Sequence, residues 1–213
     1  MSELPMTSEL IADALQALRD GRPVLVLDDL DRENEGDVIL AAQTITPAWM
    51  GWTIRHSSGY VCVPMPDEWA DRLELPPMVA LNEDPRRTAY TVTVDAASGI
   101  GTGISATDRA HTVALLGSPG TTAADLIRPG HLVPLRARPG GVLERVGHTE
   151  TAVDLCRLAG LSPVAAIGEL VDDEGEMLRG EAVRVLGKEH GLPVLTVADV
   201  VAHRREIEDR MGS

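Results

Sequence analysis

The sequence predicts one mixed α/β domain of the α+β class, spanning residues 1–213. Three observations support this fold class. A length of 213 residues suits a single domain that buries a sizeable core. Helix and strand signals alternate irregularly, with no internal repeat and no evident linker. Phe is absent and Trp and Tyr are rare, so the core must consist of aliphatic side chains.

Apolar faces and capping residues predict the helices. Residues 8–20 place aliphatic side chains on one helical face, and Gly21 is a natural stop. Thr46 suits the N-cap of a second helix because a proline follows it. Ser105 with Asp108 resembles a capping box that opens another helix. The predicted helices are 8–20, 47–55, 106–116, 149–158, 181–190 and 197–210.

Apolar and alternating runs predict the strands. The run 24–27 opens directly into an acidic segment, and a second apolar run returns from it. The stretch 76–88 is rich in proline and charge and is therefore predicted to be a surface loop. The predicted strands are 24–27, 38–42, 60–65, 89–94, 131–137, 164–171 and 193–196, in an order that the pattern does not determine.

The charge balance argues against nucleic-acid and membrane partners. The formal net charge is -14, and a field of that sign repels phosphate backbones and anionic lipid surfaces. An anionic substrate would therefore need a locally positive pocket or a bound metal. Cys62 and Cys156 form no metal-binding or redox pair, and no signal peptide or membrane-spanning run is evident. These features predict a cytoplasmic protein.

Two segments carry candidate chemistry. Residues 28–37 hold six carboxylates in ten positions, which suits a hard divalent cation, although a solvated acidic turn explains the same run. Residues 140–150 place Arg145, Gly147, His148 and a threonine before a predicted helix. A helix start with a guanidinium forms a phosphate cradle, and the alternative is a simple glycine turn.

Two further residues are candidates for proton transfer. His131 begins a predicted strand, where a structural histidine is the commoner case. Glu169 follows apolar residues, which favours a proton shuttle if its carboxyl is buried and a solvent-facing strand end if it is not. The glycines of 99–105 lack the dinucleotide-binding spacing, and no P-loop or nucleophile elbow is present.

Taken together, these segments resemble the 3,4-dihydroxy-2-butanone 4-phosphate synthase family of riboflavin biosynthesis. The resemblance rests on the strings DRENEGD, TIRHSSGYVCV, GISATDR, RPGHLVPLRA, GGVLERVGHTE and GELVDDEG, in this order along the chain. It implies a lyase that converts D-ribulose 5-phosphate into 3,4-dihydroxy-2-butanone 4-phosphate and formate. It also implies a homodimer with active sites near the subunit interface.

The resemblance assigns roles to individual residues. Glu33 and His148 would hold Mg²⁺, which Mn²⁺ can replace in oxygen-rich sites. His131 and Glu169 match positions that are essential to activity in the family. The residues expected to contact the substrate are Arg32, Glu33, Asp37, Arg145, Val146, Gly147, His148, Thr149 and Glu169.

Some positions depart from the family pattern. Leu30 replaces a usual acidic residue and Val146 a usual glycine, while Gly168 and Val171 stand where Cys and Thr are commoner. None is an expected metal ligand, so we expect activity to survive. The cysteine cluster of a fused GTP cyclohydrolase II domain is absent, which predicts a monofunctional enzyme. The rival hypotheses are another Mg²⁺-dependent sugar-phosphate isomerase or aldolase and an acidic interaction module.

Overall fold

The computed structural model describes residues 7–29 and 31–211, so the departure at Leu30 lies outside the described residues. The strands are β1 (Val24–Leu27), β2 (Gly36–Ala41), β3 (Cys62–Pro66), β4 (Val94–Ala96), β5 (Leu126–Ala137), β6 (Ala165–Glu169) and β7 (Val194–Thr196). The helices are α1 (Thr7–Arg19), α2 (Pro47–His56), α3 (Asp67–Arg72), α4 (Ala106–Leu116), α5 (His148–Leu158), α6 (Gly180–His190) and α7 (Val197–Met211). Short 3₁₀ helices lie at Ala123–Asp125 and Gly141–Leu143.

The strands form a mixed sheet in the order β4-β5-β3-β6-β2-β1-β7. β1 and β2 pair as an antiparallel hairpin, so the acidic segment is the connection between two buried neighbouring strands. β6 lies antiparallel to β2, with Asp37 opposite Glu169. This register brings the end of the acidic segment next to a carboxyl that lies more than a hundred residues further along the chain.

Helices cover both faces of the sheet, as the mixed α/β prediction requires. Ile39 packs on the face covered by α1, α5 and α7, and its neighbour Leu40 packs on the face covered by α2, α3 and α4. Consecutive strand residues point to opposite faces, so a strand covered on both sides reads as a continuous apolar run. The buried side chains are mainly Val, Leu, Ile and Ala, which confirms the aliphatic core predicted from the composition. Within the described residues, we find no helix that combines the length and apolarity needed to cross a bilayer.

A buried ion pair fixes the last helix to the body of the domain. Asp154 of α5 is fully buried, and its Oδ2 lies 2.6 Å from a guanidinium nitrogen of Arg204 in α7. The same oxygen accepts a hydrogen bond from the Val142 amide at 3.0 Å. Asp154 therefore joins α5, α7 and the 3₁₀ turn that precedes Arg145.

The prediction of a strand at 89–94 is wrong for most of its length. Tyr90 and Thr91 form isolated bridges, and the regular strand begins only at Val94. The Thr91 amide donates to the Pro134 carbonyl at 3.0 Å, but a proline has no amide hydrogen to donate in return. The ladder therefore cannot continue through this pair.

Two other elements differ from the prediction. β5 begins at Leu126 rather than His131, because a proline and a glycine at 129–130 disguise the start of the strand. The helix α3 follows a proline-flanked strand and was not predicted. The caps at Thr46 and Ser105 are confirmed, each accepting a bond from the amide three residues ahead.

Candidate active site

The candidate active site is a polar pocket beside the ends of β2 and β6 and the start of α5. Seven predicted site residues line it, namely Arg32, Glu33, Asp37, Arg145, His148, Thr149 and Glu169. They come from three separate chain segments, and the sheet register and the position of α5 bring them together. The remaining lining residues are Tyr60, Cys62, Thr88, Tyr90, Leu135, Ile167 and Gly168.

The buried carboxylate of Asp28 gives the acidic segment its shape. One oxygen accepts from the Arg32 guanidinium at 2.8 Å and from the Glu33 amide at 3.2 Å, and the other accepts from the Glu35 amide at 2.9 Å. A carboxylate that accepts several backbone amides fixes a loop in one conformation. The segment is therefore an organised loop, and the interpretation as a merely solvated turn does not fit this part of it.

The Asp28, Glu33 and His148 side chains form a candidate metal site. One ligand atom from each lies within 4.8 Å of the others. His148 Nε2 lies 3.1 Å from the Val26 carbonyl, which fixes the hydrogen on Nε2 and leaves the lone pair on Nδ1. Burial lowers the pKa of His148, so the imidazole is neutral, as a metal ligand must be. Two carboxylates and a neutral imidazole fit a divalent cation that accepts oxygen and nitrogen ligands.

Asp37 lies beside this cluster in an electrostatically unfavourable position. Its Oδ1 lies 3.4 Å from His148 Nδ1 and has no hydrogen-bond donor. Burial raises the pKa of Asp37 well above its usual range, and the nearby charges of Glu169 and Glu33 raise it further. A cation or a substrate hydroxyl in the pocket would relieve this unpaired oxygen.

Asp37→Asn is expected to stabilise the metal-free protein more at pH 8 than at pH 5. The pKa of this carboxyl is higher in the folded than in the unfolded chain. The folded state therefore loses stability as the pH rises from the ordinary pKa of 3.8 towards the pKa in the folded protein. Asparagine removes that penalty, and the melting temperature should rise by about 2–4 °C for each kcal/mol gained. Thermal melts in EDTA at both pH values measure the difference. A variant that is equally or less stable at pH 8 would contradict the raised pKa.

The positive end of the pocket lies at the start of α5. Gly147 precedes this helix, and a Cβ there would lie 2.6 Å from an Arg145 nitrogen and 3.0 Å from an Arg32 nitrogen. The buried carboxylate of Glu150 forms an ion pair with Arg145, in which Oε2 lies 2.6 Å from Nη1. Two guanidinium groups and the amides of a helix start therefore converge on one point, as an anion site requires.

The loop before β4 supplies residues that the sequence analysis assigned only to a surface loop. Thr88 Oγ1 accepts from Arg145 at 3.2 Å, and the Arg86 carbonyl accepts from the same guanidinium at 3.3 Å. The Arg86 side chain contacts Glu33 at 3.4 Å. Irregular backbone has no periodic pattern, so the only signal was a threonine that follows two arginines next to an otherwise apolar run.

Glu169 and Cys62 occupy the wall of the pocket. Glu169 is partly exposed at the end of β6, and its Oε2 accepts from the Ser58 hydroxyl at 3.0 Å. Cys62 is buried, and burial raises the pKa of its thiol, as expected of a small apolar residue rather than a nucleophile. Ser58 was not singled out from the sequence, because nothing in its local pattern indicates a contact with a residue 111 positions away.

Three predicted residues do not line this pocket. Val146 is 42% exposed on the loop before α5, and Gly147 shapes the anion site through its backbone. His131 lies on β5, in the part of that strand that pairs with β4, and its Nδ1 lies 2.6 Å from Asp95 Oδ2. The structure therefore separates His131 from the pocket residues of its own chain.

A mixed sheet with helices on both faces, carrying a carboxylate–imidazole cluster beside a guanidinium-lined helix start, defines a metal-using enzyme with an anion site. The sequence model of 3,4-dihydroxy-2-butanone 4-phosphate synthase matches residues 12–203. The chain therefore belongs to the 3,4-dihydroxy-2-butanone 4-phosphate synthase family.

Solved structures agree with the family assignment. A 3,4-dihydroxy-2-butanone 4-phosphate synthase in complex with two magnesium ions superposes with a TM-score of 0.90 at 48% identity, covering 93% of this chain and 97% of that one. The Candida albicans synthase superposes with a TM-score of 0.85 at 49% identity, covering 91% and 96%. The similarity confirms the predicted fold class.

The curated relatives are longer proteins. The riboflavin biosynthesis protein RibBA of Salinispora arenicola is 54% identical over 201 residues, which is 94% of this chain and 48% of the relative. RibBA of Mycobacterium ulcerans is 52% identical over 210 residues, which is 98% of this chain and 48% of the relative. The chain thus spans about half the length of these relatives.

Proposed function

We propose that this chain converts D-ribulose 5-phosphate into 3,4-dihydroxy-2-butanone 4-phosphate and formate, a step of riboflavin biosynthesis. One observation carries the proposal. The candidate metal ligands Glu33 and His148 share a pocket with the anion site of Arg145 and the α5 start. A phosphorylated ketose has both features that such a pocket binds, a phosphate group and adjacent oxygens that can chelate a cation.

The metal end of the pocket is assigned to Glu33 and His148, with Asp28 holding the loop and contributing negative charge. Bound Mg²⁺, or Mn²⁺ in its place, supplies a Lewis acid that polarises the ketone and acidifies the neighbouring carbon-bound hydrogen. The similar structure with two magnesium ions supports the choice of cation. Arg32 and Asp37 also line the pocket, and we assign them to the hydroxyl groups of the sugar.

The phosphate end is assigned to the segment 145–149. The Arg145 guanidinium gives charge-assisted hydrogen bonds, and the amides of His148 and Thr149 at the helix start are assigned to the anion, since the Gly147 amide donates to the Arg145 carbonyl at 2.9 Å. Val146 contributes through its backbone, since its side chain points to solvent. Glu169 also lines the pocket, and its carboxylate, held by Ser58, is assigned to receive and return a proton.

We further propose that the protein is a homodimer in which His131 of the partner subunit completes each pocket. His131 does not line the pocket of its own chain, yet its side chain is 42% exposed at the sheet edge formed by β4 and β5. A partly exposed imidazole with one nitrogen free is available to a neighbouring molecule. Two-fold symmetry would then give two equivalent sites, each made from both chains.

The described residues are proposed to act as a single catalytic domain that needs no fused cyclohydrolase domain. The cytoplasm is the proposed location, because Cys62 and Cys156 are both free and buried, as in a reducing compartment. An activity measurement on this chain alone tests the first of these two statements directly.

The test of the proposed function is formate release from D-ribulose 5-phosphate, measured with Mg²⁺ and again with excess EDTA. The expected result is one formate for each substrate consumed, with turnover stopped by EDTA and restored by added Mg²⁺ or Mn²⁺. Substrate loss without formate would instead identify an isomerase or aldolase. No turnover by folded, metal-loaded protein would overturn the proposal.

Arg145→Ala is expected to raise KM for ribulose 5-phosphate by about 10- to 100-fold, the worth of a lost charge-assisted hydrogen bond of roughly 1.5–3 kcal/mol. Arg184→Ala is the matched control, because Arg184 is exposed on α6 and does not line the pocket. Initial rates over a range of substrate concentrations measure the change. Equal KM values in the two variants would place the phosphate elsewhere.

A further inference from the structure

A second polar cluster lies at the sheet edge, away from the pocket residues. The Asp95 side chain on β4 is 4% exposed and makes two bonds to a single residue. Its Oδ1 accepts from the His131 amide at 3.0 Å, and its Oδ2 lies 2.6 Å from His131 Nδ1. One buried carboxylate therefore fixes both the backbone and the ring of His131.

The local backbone is built around this pair. Val94 pairs with Leu132 and Asp95 with Ile127, so four residues of β5, His131 among them, have no partner on β4 and form a bulge. Bulges re-aim a side chain at a sheet edge. The bulge holds His131 against Asp95 while its ring stays open to solvent.

Two glycines leave the room that the pair needs. A Cβ at Gly103, which has φ +91°, would lie 2.2 Å from Asp95 Oδ2 and 2.8 Å from His131 Nδ1. A Cβ at Gly130 would lie 1.9 Å from the Val94 carbonyl carbon. No side chain fits at either position without displacing the pair, so the surrounding chain is shaped for this contact.

Three charged or titratable side chains of α4 lie around the pair. Arg109 of α4 is buried nearby, and although burial lowers its pKa, the charge of Asp95 opposes that change. Asp108 of the same helix accepts a hydrogen bond from the Gly103 amide, and His111 Nε2 lies 3.2 Å from the Ser98 carbonyl. Neither side chain therefore pairs with His131. With Oδ2 2.6 Å from the ring, the Asp95 carboxylate is placed to accept the hydrogen of Nδ1, and the lone pair of the ring then lies on Nε2.

We propose that Asp95 is a positioning residue, which holds His131 with its hydrogen on Nδ1 so that Nε2 takes up a proton from the reacting substrate and later returns it. The inference rests on the proposed function, because the proposed reaction requires His131 to transfer a proton. The carboxylate also stabilises the imidazolium that exists between the two transfers. Asp95 itself touches no substrate.

Asp95→Asn separates this role from a merely structural one. The amide oxygen of asparagine still accepts from the His131 backbone, but its NH₂ group donates and cannot accept the Nδ1 hydrogen. The ring should then change to the tautomer with hydrogen on Nε2, which has no lone pair to offer the substrate. The fold should remain intact, while the proton acceptor is lost.

The first experiment needs no activity. Nitrogen-15 NMR of histidine-labelled wild-type protein, with His131 assigned through His131→Gln, should show hydrogen on Nδ1. Asp95→Asn should show it on Nε2. The same tautomer in both proteins would overturn the proposal, even if wild-type protein released formate. If wild-type protein released no formate, the proposed function would fail. The tautomers would still show whether Asp95 fixes the hydrogen on Nδ1 of His131.

The second experiment is a double-mutant comparison of formate release. Asp95→Asn alone should lower kcat by roughly 100-fold with KM within about twofold, as the loss of a positioned general base predicts. In a His131→Gln background, Asp95→Asn should cost no further activity, because its effect passes through the missing ring. Additive losses, or a loss in KM alone, would show that Asp95 serves the fold or substrate binding instead. Asp95→Glu, which keeps the acceptor, should recover part of kcat.

Discussion

Glu33→Gln is expected to reduce kcat for formate release by about a thousandfold, with little change in melting temperature. Glutamine keeps the size of the side chain but removes the negative charge, and catalytic electrostatic interactions are worth roughly 10²- to 10³-fold in kcat. Glu33 is only partly buried, so its loss leaves no unpaired charge in the core. Metal affinity, measured by Mn²⁺ titration, should fall together with kcat.

A matched control distinguishes this effect from a general change in charge. Glu189→Gln removes the same charge from an exposed position on α6 that does not line the pocket. It should bind Mn²⁺ and release formate as the wild-type protein does. Full turnover in Glu33→Gln, at the same Mg²⁺ concentration, would remove Glu33 from the metal site and contradict its assignment as a ligand.

His131→Ala should be almost inactive by itself, and activity should return when it is mixed with Glu33→Gln. If each pocket uses His131 of the partner subunit, half of the randomly mixed dimers carry one pocket with both functional residues. Formate release should therefore recover to about a quarter of the wild-type value. The reaction is measured after the two inactive proteins have been unfolded and refolded together.

The outcome of mixing separates two arrangements of the site. If His131 served the pocket of its own chain, each mixed dimer would still contain one defective pocket with Glu33→Gln and one with His131→Ala, and activity would not return. A protein that remained monomeric at assay concentrations while fully active would also contradict the shared site. Refolded wild-type protein controls for losses during the procedure.

Local chemistry made much of the candidate site predictable. The residues from Arg32 to Asp37 are contiguous, and they follow a buried strand directly, so their common location needed no knowledge of the fold. The segment 145–149 was predicted in the same way, because a helix start with an arginine has a clear local pattern. The local pattern alone does not show that these two segments meet. That expectation came only from the family resemblance, because the meeting depends on the strand order.

The remaining parts depend on contacts between distant residues. The bond between Ser58 and Glu169 and the position of Thr88 arise from irregular backbone, which has no period to read. The strand predicted at 89–94 failed because its neighbour Pro134 cannot donate a hydrogen bond, and that pairing is visible only in the sheet. The bulge next to which His131 contacts Asp95 is likewise a property of two paired strands, and no pattern in either strand alone shows it.

The ion pair between Asp154 and Arg204 has a consequence for the order of events on the ribosome. Synthesis proceeds from the amino terminus, and α7 is the last described helix to emerge. Until residue 204 leaves the exit tunnel, the Asp154 carboxylate has no strong cation, since Arg157 approaches it only to 3.8 Å. A nascent chain that stops before this point must either keep α5 partly open to water or hold an uncompensated charge. The 3₁₀ turn at Gly141–Leu143, which leads to Arg145, should therefore adopt its final conformation only after α7 has docked. The anion pocket is then among the last features of the domain to form during translation.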